Sequence, residues 1–204
     1  MMTLKTRWSE EAMCDLPLPE YPRPQMVRDD NWVNLNGMYD FAVTDDKAEW
    51  CDNYEEKIRV PFAVESCLSG ICRRVSAKDR LWYRKSFTLP ECFKDKRTLL
   101  HFGAVDQIAT VWVNGEKMGT HEGGYLPFSF DISNIMYTEK ENALVVKVKD
   151  SLSTIYPYGK QTKKRGNMWY TPVSGIWKTV WMEQVPETYI KDLKLTPDLN
   201  GVHI

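Results

Sequence analysis

Residues 99–132 read LLHFGAVDQIATVWVNGEKMGTHEGGYLPFSFDI, and this stretch decides the fold. Ile108–Val113 alternates and is rich in β-branched and aromatic side chains, which marks a strand. Asn114-Gly115 follows directly. Both central residues of a type I′ turn need φ > 0, and Asn-Gly tolerates this best, so the chain should reverse here. Residues 116–121 then return as the partner strand. Gly123-Gly124 and the run Tyr125-Leu126-Pro127-Phe128 leave the hairpin as a loop.

Working outward, residues 99–102 make a short strand just before the hairpin. Residues 81–89 alternate, with Trp82, Arg84, Ser86 and Thr88 on one side and Leu81, Tyr83, Lys85, Phe87 and Leu89 on the other, until Pro90 stops them. Trp32, Leu35, Asn36, Gly37, Tyr39 and Phe41 read as a turn leading into a strand. Val60-Pro61-Phe62 reads as the start of another extended segment. Leu144, Val146 and Val148 alternate with Val145, Lys147 and Lys149, which predicts a strand with one wet face. Residues 179–183 give the last clear strand of the unit. No stretch sustains a helical period. Many short strands separated by turn signals predict an all-β sandwich or jelly roll.

The two ends read differently. In residues 1–29, Pro17, Pro19, Pro22 and Pro24 exclude helix and predict an extended arm lying along a surface, such as that of a neighbouring domain. Residues 189–196 read as a strand, Pro197, Asp198 and Asn200-Gly201 as a turn, and residues 202–204 as the start of a second strand. Because that hairpin would be left with an open edge, a truncation near the start of a further β domain is expected.

Composition narrows the function classes. The chain has 204 residues, 43% of them hydrophobic, which suits one large domain with a substantial core. Its 27 basic and 28 acidic residues nearly cancel, so it lacks the basic footprint of a nucleic-acid binder. No apolar run approaches the roughly 20 residues of a membrane span. No apolar h-region opens the chain, so no signal peptide is visible. Five cysteines argue against a fully paired disulfide framework, and Cys67 and Cys72 lack a second pair for zinc. Free thiols in a reducing, cytoplasmic compartment are expected, with a periplasmic or secreted setting if a signal was removed. Neither a cofactor nor a metal is expected.

Four blocks then occur in order: Trp32-Val33-Asn34-Leu35-Asn36-Gly37-Met38-Tyr39; Val60-Pro61 with Trp82-Tyr83-Arg84-Lys85-Ser86-Phe87; the hairpin with His121-Glu122-Gly123-Gly124-Tyr125; and Trp169-Tyr170-Thr171-Pro172-Val173-Ser174-Gly175-Ile176-Trp177 with Val180-Trp181. Together they resemble the N-terminal sugar-binding domain of glycoside hydrolase family 2, the family of β-galactosidases, β-glucuronidases and β-mannosidases. The resemblance implies a jelly-roll-like, galactose-binding-domain-like β-sandwich over residues 30–185. It makes residues 1–29 an arm, and residues 186–204 a linker and the first strands of a truncated immunoglobulin-like domain. In that family a (β/α)₈ barrel carries the catalytic glutamates. A barrel takes about 250 residues, so none fits here and no residue of this chain inherits a catalytic role. The implied partners are the chain's own immunoglobulin-like and barrel domains and a β-linked glycan, with a homo-oligomer left open.

Retaining glycosidases need two carboxyl groups about 5–5.5 Å apart, so a sandwich can only add walls and hydrogen bonds to such a site. In some family members a carboxylate just before the fourth block reaches the active site. The nearest counterpart here is Asn167; the acid is missing and the segment before Ser174 is longer. Trp169 and Tyr170 offer aromatic faces to a pyranose ring, with core packing of one of them as the alternative. Asn167, Trp169 and Tyr170 are the expected substrate-binding residues. Glu122 with His121, Asp106 and Glu65 read as side chains that satisfy nearby backbone. His101, His121 and His203 have no Ser or Cys partner at a recognisable elbow, which leaves a hydrolase triad unsupported. The basic run KQTKKRG, residues 160–166, reads as a solvated loop, with an anionic sugar or partner site as the sharper alternative. Two further readings stay open: an independent carbohydrate-binding module, and a structural domain that supports a barrel or a subunit interface.

Overall fold

The computed structural model describes residues 6–26, 31–93, 96–163 and 166–204. Two antiparallel sheets face each other. The six-stranded sheet runs in the order β3(Glu56–Val60), β2(Gly37–Thr44), β4(Arg80–Phe87), β10(Asn142–Lys149), β7(Ile108–Val113), β8(Glu116–Glu122). The four-stranded sheet runs β1(Trp32–Asn34), β12(Val180–Val185), β5(Arg97–Phe102), β9(Phe128–Asp131). A short pair, β6(Val105–Asp106) and β11(Gly175–Ile176), crosses one end of the sandwich.

The core forms where the period-2 patterns of the two sheets meet. Tyr39, Phe41, Leu81, Tyr83, Val111, Leu144, Val146 and Val148 point in from one sheet, and Leu100, Phe102, Val180 and Met182 from the other. Register aligns them: Val146 lies opposite Tyr83 on one side and Val111 on the other. Burying a side chain such as Phe41 or Leu100 contributes about 1.5–3 kcal/mol.

The wet face expected on β10 is only partly wet. Val145 is buried with Trp82, Ala42 and Cys51 in a second, smaller apolar cluster. Trp50 packs edge-on against both Trp82 and Trp112, at centroid distances of 5.7 and 5.4 Å, and roofs that face. Lys147 closes the cluster with its ammonium over Trp82 and Trp112. Beside it Asp40 pairs with Lys57 and Arg84. Alternation alone could not show this, because the covering residues come from a distant loop.

The hairpin is as expected. Asn114 and Gly115 have φ of 53° and 84°, the two positive values of a type I′ turn. Asn114 also anchors the turn: its Nδ2 donates to Ile135 O and Asn142 Oδ1, and its Oδ1 accepts from Ala143 N. A Cβ on Gly115 would meet no atom within 4 Å, so only backbone strain opposes substitution. Gly115→Val should therefore destabilise the sandwich by roughly 1–3 kcal/mol, read from its denaturation midpoint.

Four expectations are corrected. The arm contains a one-turn helix, α1(Ser9–Ala12), because it precedes the first proline. Its proline-rich part lies on the chain's own four-stranded sheet, with Asn36 Nδ2 donating to Pro17 O, Asn34 Nδ2 to Leu18 O, and Tyr21 set edge-on between Trp32 and Trp181. Residues 1–5 and 27–29 of the arm lie outside the described residues. Val60 ends a strand rather than beginning one. Cys67 and Cys72 are joined by a disulfide, since the 3-10 turn Cys67–Ser69 brings their Cα atoms to 4.4 Å. Cys14, Cys51 and Cys92 remain free thiols. At the C-terminus only β13(Thr196–Pro197) and β14(Val202–His203) pair; residues 189–195 form no strand. Asp198 Oδ1 accepts from the amides of Asn200 and Gly201 and shapes the turn between them.

Candidate functional site

One end of the sandwich gathers three loops: residues 61–75 after β3, residues 123–127 after β8, and residues 150–174 between β10 and β11. Their bases meet over a buried polar floor. Ser174 donates its backbone N–H to Glu65 Oε2 at 2.9 Å and its Oγ–H to Asp150 Oδ2 at 2.7 Å. Asp150 Oδ1 accepts from Leu152 N, and Val64 N donates to Ser174 O. Gln161 Oε1 accepts from Val173 N at 2.6 Å.

Asp106 sits in the same floor at 4% exposure, with its carboxyl directly beneath Gly124. Burial pushes its pKa up to about 7, reinforced by the charges of Asp150 and Glu65 and opposed by a hydrogen bond from Gln161. Burial also raises Glu65, against its hydrogen bonds from Ser174. Among the described residues no group of three or more His, Cys, Asp or Glu is arranged to hold a metal ion.

Above this floor the loops present aromatic groups. Trp177 Nε1 donates to Gly124 O at 2.8 Å and its ring meets Tyr125 edge-on. Tyr156 OH donates to Glu122 Oε2 at 2.8 Å, so Glu122 holds a side chain of the facing loop rather than neighbouring backbone. His121 stacks on Phe128 at 4.1 Å. Residues 150–174 fold back on themselves: Tyr170 N donates to Lys160 O and Thr162 N to Tyr170 O, forming a parallel bridge. The three residues expected to meet sugar are exposed on this loop. Asn167 has φ of 55° at a tight turn and is exposed. Trp169 is 42% exposed and Tyr170 64%, so neither joins the core. Lys164 and Arg165 of the basic run lie outside the described residues.

The floor residues were the ones missed as a group. Glu65 does satisfy a backbone amide, but one 109 residues away. Nothing in the spacing of 65, 106, 150 and 174 joins them; the β6–β11 pair does, by setting Gly175 opposite Asp106.

A second polar cluster lies under the arm. His101 contacts Ser129 on β9 and Glu183 on β12, and stacks on Trp181. Burial pushes Glu183 up, but hydrogen bonds from His101 and Tyr21 and the charge of Arg23 outweigh this and hold it below its usual range. Ser129 lies within a strand and Glu183 is shared with Tyr21 and Arg23, so the cluster fastens the arm and no hydrolytic elbow is formed.

The family pattern of the glycosyl hydrolase 2 galactose-binding-like domain matches residues 56–195, which takes in most of the six-stranded sheet and all three loops. The chain belongs to that family. Its sandwich also includes β1 and β2, which precede the matched segment. This galactose-binding-like domain is 39% identical over 119 residues to a β-galactosidase of Thermoanaerobacter pseudethanolicus, covering 57% of the chain and 15% of that protein. It is 23% identical over 201 residues to a β-glucuronidase of Paenibacillus borealis, covering 89% of the chain and 33% of the relative. Among solved structures, Lactobacillus rhamnosus β-glucuronidase superposes with a TM-score of 0.60 at 28% identity, over 79% of the chain and 30% of that enzyme. The domain thus spans a third or less of each of these hydrolases.

Proposed function

We propose that this galactose-binding-like domain is the non-catalytic, N-terminal sugar-contacting part of a β-galactosidase-like or β-glucuronidase-like glycosidase, with the loop end turned toward the catalytic barrel. A barrel and an immunoglobulin-like domain, which the C-terminal hairpin would open, are its intramolecular partners. The observation that carries the reading is the contrast within residues 150–174. The base is pinned by Asp150, Ser174, Gln161 and Glu65, while Trp169 and Tyr170 stand exposed. A rigid base with an exposed aromatic tip is what a binding loop requires. The names of the relatives, all β-glycosidases, point the same way.

In the full-length enzyme, Trp169→Ala should lower kcat/KM about two- to tenfold, the worth of one aromatic contact. Its melting temperature should barely move, because exposed substitutions usually cost within about 0.5 kcal/mol. A large drop in melting temperature with unaltered kcat/KM would put Trp169 in a structural role and sink the proposal for this loop.

A further inference from the structure

A cavity of about 320 Å³ opens between residues 74–78 and the base of the 150–174 loop, and Arg74, Lys78 and Lys163 stand on its rim. Elsewhere Arg73 pairs with Glu56, Arg84 with Asp40, and Arg97 with Asp131. Among the described residues, none of the three rim cations has a carboxylate within ion-pair distance. Arg74 Nη1 donates to Lys163 O, which ties the two walls together. Three like charges held around one hollow repel each other unless something negative enters.

Among the described residues Asp150 is the one acid lining the cavity, set against three cations. Both oxygens of Asp150 are engaged, one by Ser174 Oγ and one by Leu152 N. Burial raises Asp106 to about 7. Leu152 and Pro172 give the cavity an apolar side. A hollow with one apolar wall and a cationic rim fits a sugar ring that carries an oxyanion.

We propose that this cavity binds an anionic group of a glycan, a ring carboxylate or sulfate ester, between Arg74, Lys78 and Lys163. The inference rests on the reading of the domain as a sugar-contacting wall and names the substrate class it selects. An arginine fork with two ammonium groups suits either oxyanion, through charge-assisted hydrogen bonds.

The test is a chemical-shift titration of the 204-residue chain with methyl β-glucuronide, glucose 6-sulfate, methyl β-glucoside and inorganic sulfate. The expected result is shifts at residues 74–78 and 150–152, with one of the charged sugars bound about tenfold more tightly than the neutral one, as one charge-assisted hydrogen bond allows. Added salt should erode the difference. The combined Arg74→Gln, Lys78→Gln, Lys163→Gln variant should melt cooperatively near the wild-type temperature and lose the preference. Equal binding of neutral and charged sugars, no shifts at all, or an unchanged preference in that variant would overturn the proposal. Inorganic sulfate binding as tightly as either charged sugar would make this a free-anion site and overturn the glycan assignment. These outcomes are independent of Trp169→Ala: a wild-type chain without charge preference but with a normal Trp169 effect removes only the inference, and the reverse removes only the reading.

Discussion

Replacing Gly175 with alanine should destabilise the sandwich by on the order of 2–6 kcal/mol, and two separable causes add up to that figure. Gly175 has φ of +87°, where an L side chain is strained by about 1–3 kcal/mol. Its new Cβ would also run into the hydroxyl of Tyr83 and lie 3.1 Å from that ring's Cζ. Tyr83 cannot yield: it is fully buried and packed edge-on against Phe41 at 5.1 Å and Tyr39 at 6.4 Å. Overpacking of a fixed core side chain costs about a further 1–3 kcal/mol. Because Gly175 pairs with Asp106, displacement there also reaches the polar floor of the loop end. Tyr83→Phe in the same chain removes the obstructing hydroxyl and should restore the overpacking part but not the backbone part. Urea midpoints of the two variants check both halves, and an unchanged midpoint for Gly175→Ala would refute the close packing.

The second large effect is on pH. Asp106 has a folded pKa of about 7 against an ordinary value of 3.8. Below about pH 4 both states hold the proton. Between there and pH 7 the unfolded chain releases it while the folded chain keeps it, so stability falls as pH rises. Above pH 7 both states are ionised and the loss levels off. At about 1.4 kcal/mol per pH unit the loss reaches at most about 4 kcal/mol. Glu65, raised by burial, works in the same direction. Asp40 and Asp131 work in the opposite direction. Burial raises both, but hydrogen bonds from Lys57 and Arg84 to Asp40, and from Ser133 and Arg97 to Asp131, outweigh it and hold them low. Their stabilisation is present above the ordinary carboxylate range and is lost as pH falls through it. Melting temperature should therefore peak near pH 4–5 and decline toward pH 8. Asp106→Asn, which mimics the protonated acid, should flatten the decline and melt higher than wild type at pH 8. A flat wild-type profile between pH 5 and 8 would show that Asp106 ionises freely in the fold.

How much of this was legible in the sequence depends on how far each cause reaches along the chain. The Asn114-Gly115 turn was readable because the φ requirement sits in the two residues themselves. Strands β4, β7 and β10 were readable because their period-2 patterns are local. The burial of Val145 was not, since Cys51 and Tyr54 join its cluster from a distant loop. The arm's prolines announced extension, but nothing in them named Tyr21's slot between Trp32 and Trp181. At the candidate site, the loop carrying Trp169 and Tyr170 showed in its composition. Its floor did not, because Glu65, Asp106, Asp150 and Ser174 come together only when β6 pairs with β11. The Cys67–Cys72 bond escaped a count of cysteines because it depends on a local 3-10 turn.

The hydrogen bond from Ser174 Oγ to Asp150 Oδ2 joins the first and last residues of the long loop. That contact makes the loop a closed ring clipped to the sheet, and its interior becomes an exchangeable cassette. Lengthening a ring whose ends are already fastened adds only about 0.6 kcal/mol per doubling, so the ring tolerates insertion well. Sequence drift between residues 153 and 172 can then reshape what the tip touches without disturbing the strands that hold it. A designer wishing to retarget this scaffold would leave Asp150, Gln161 and Ser174 in place and graft new tips between them.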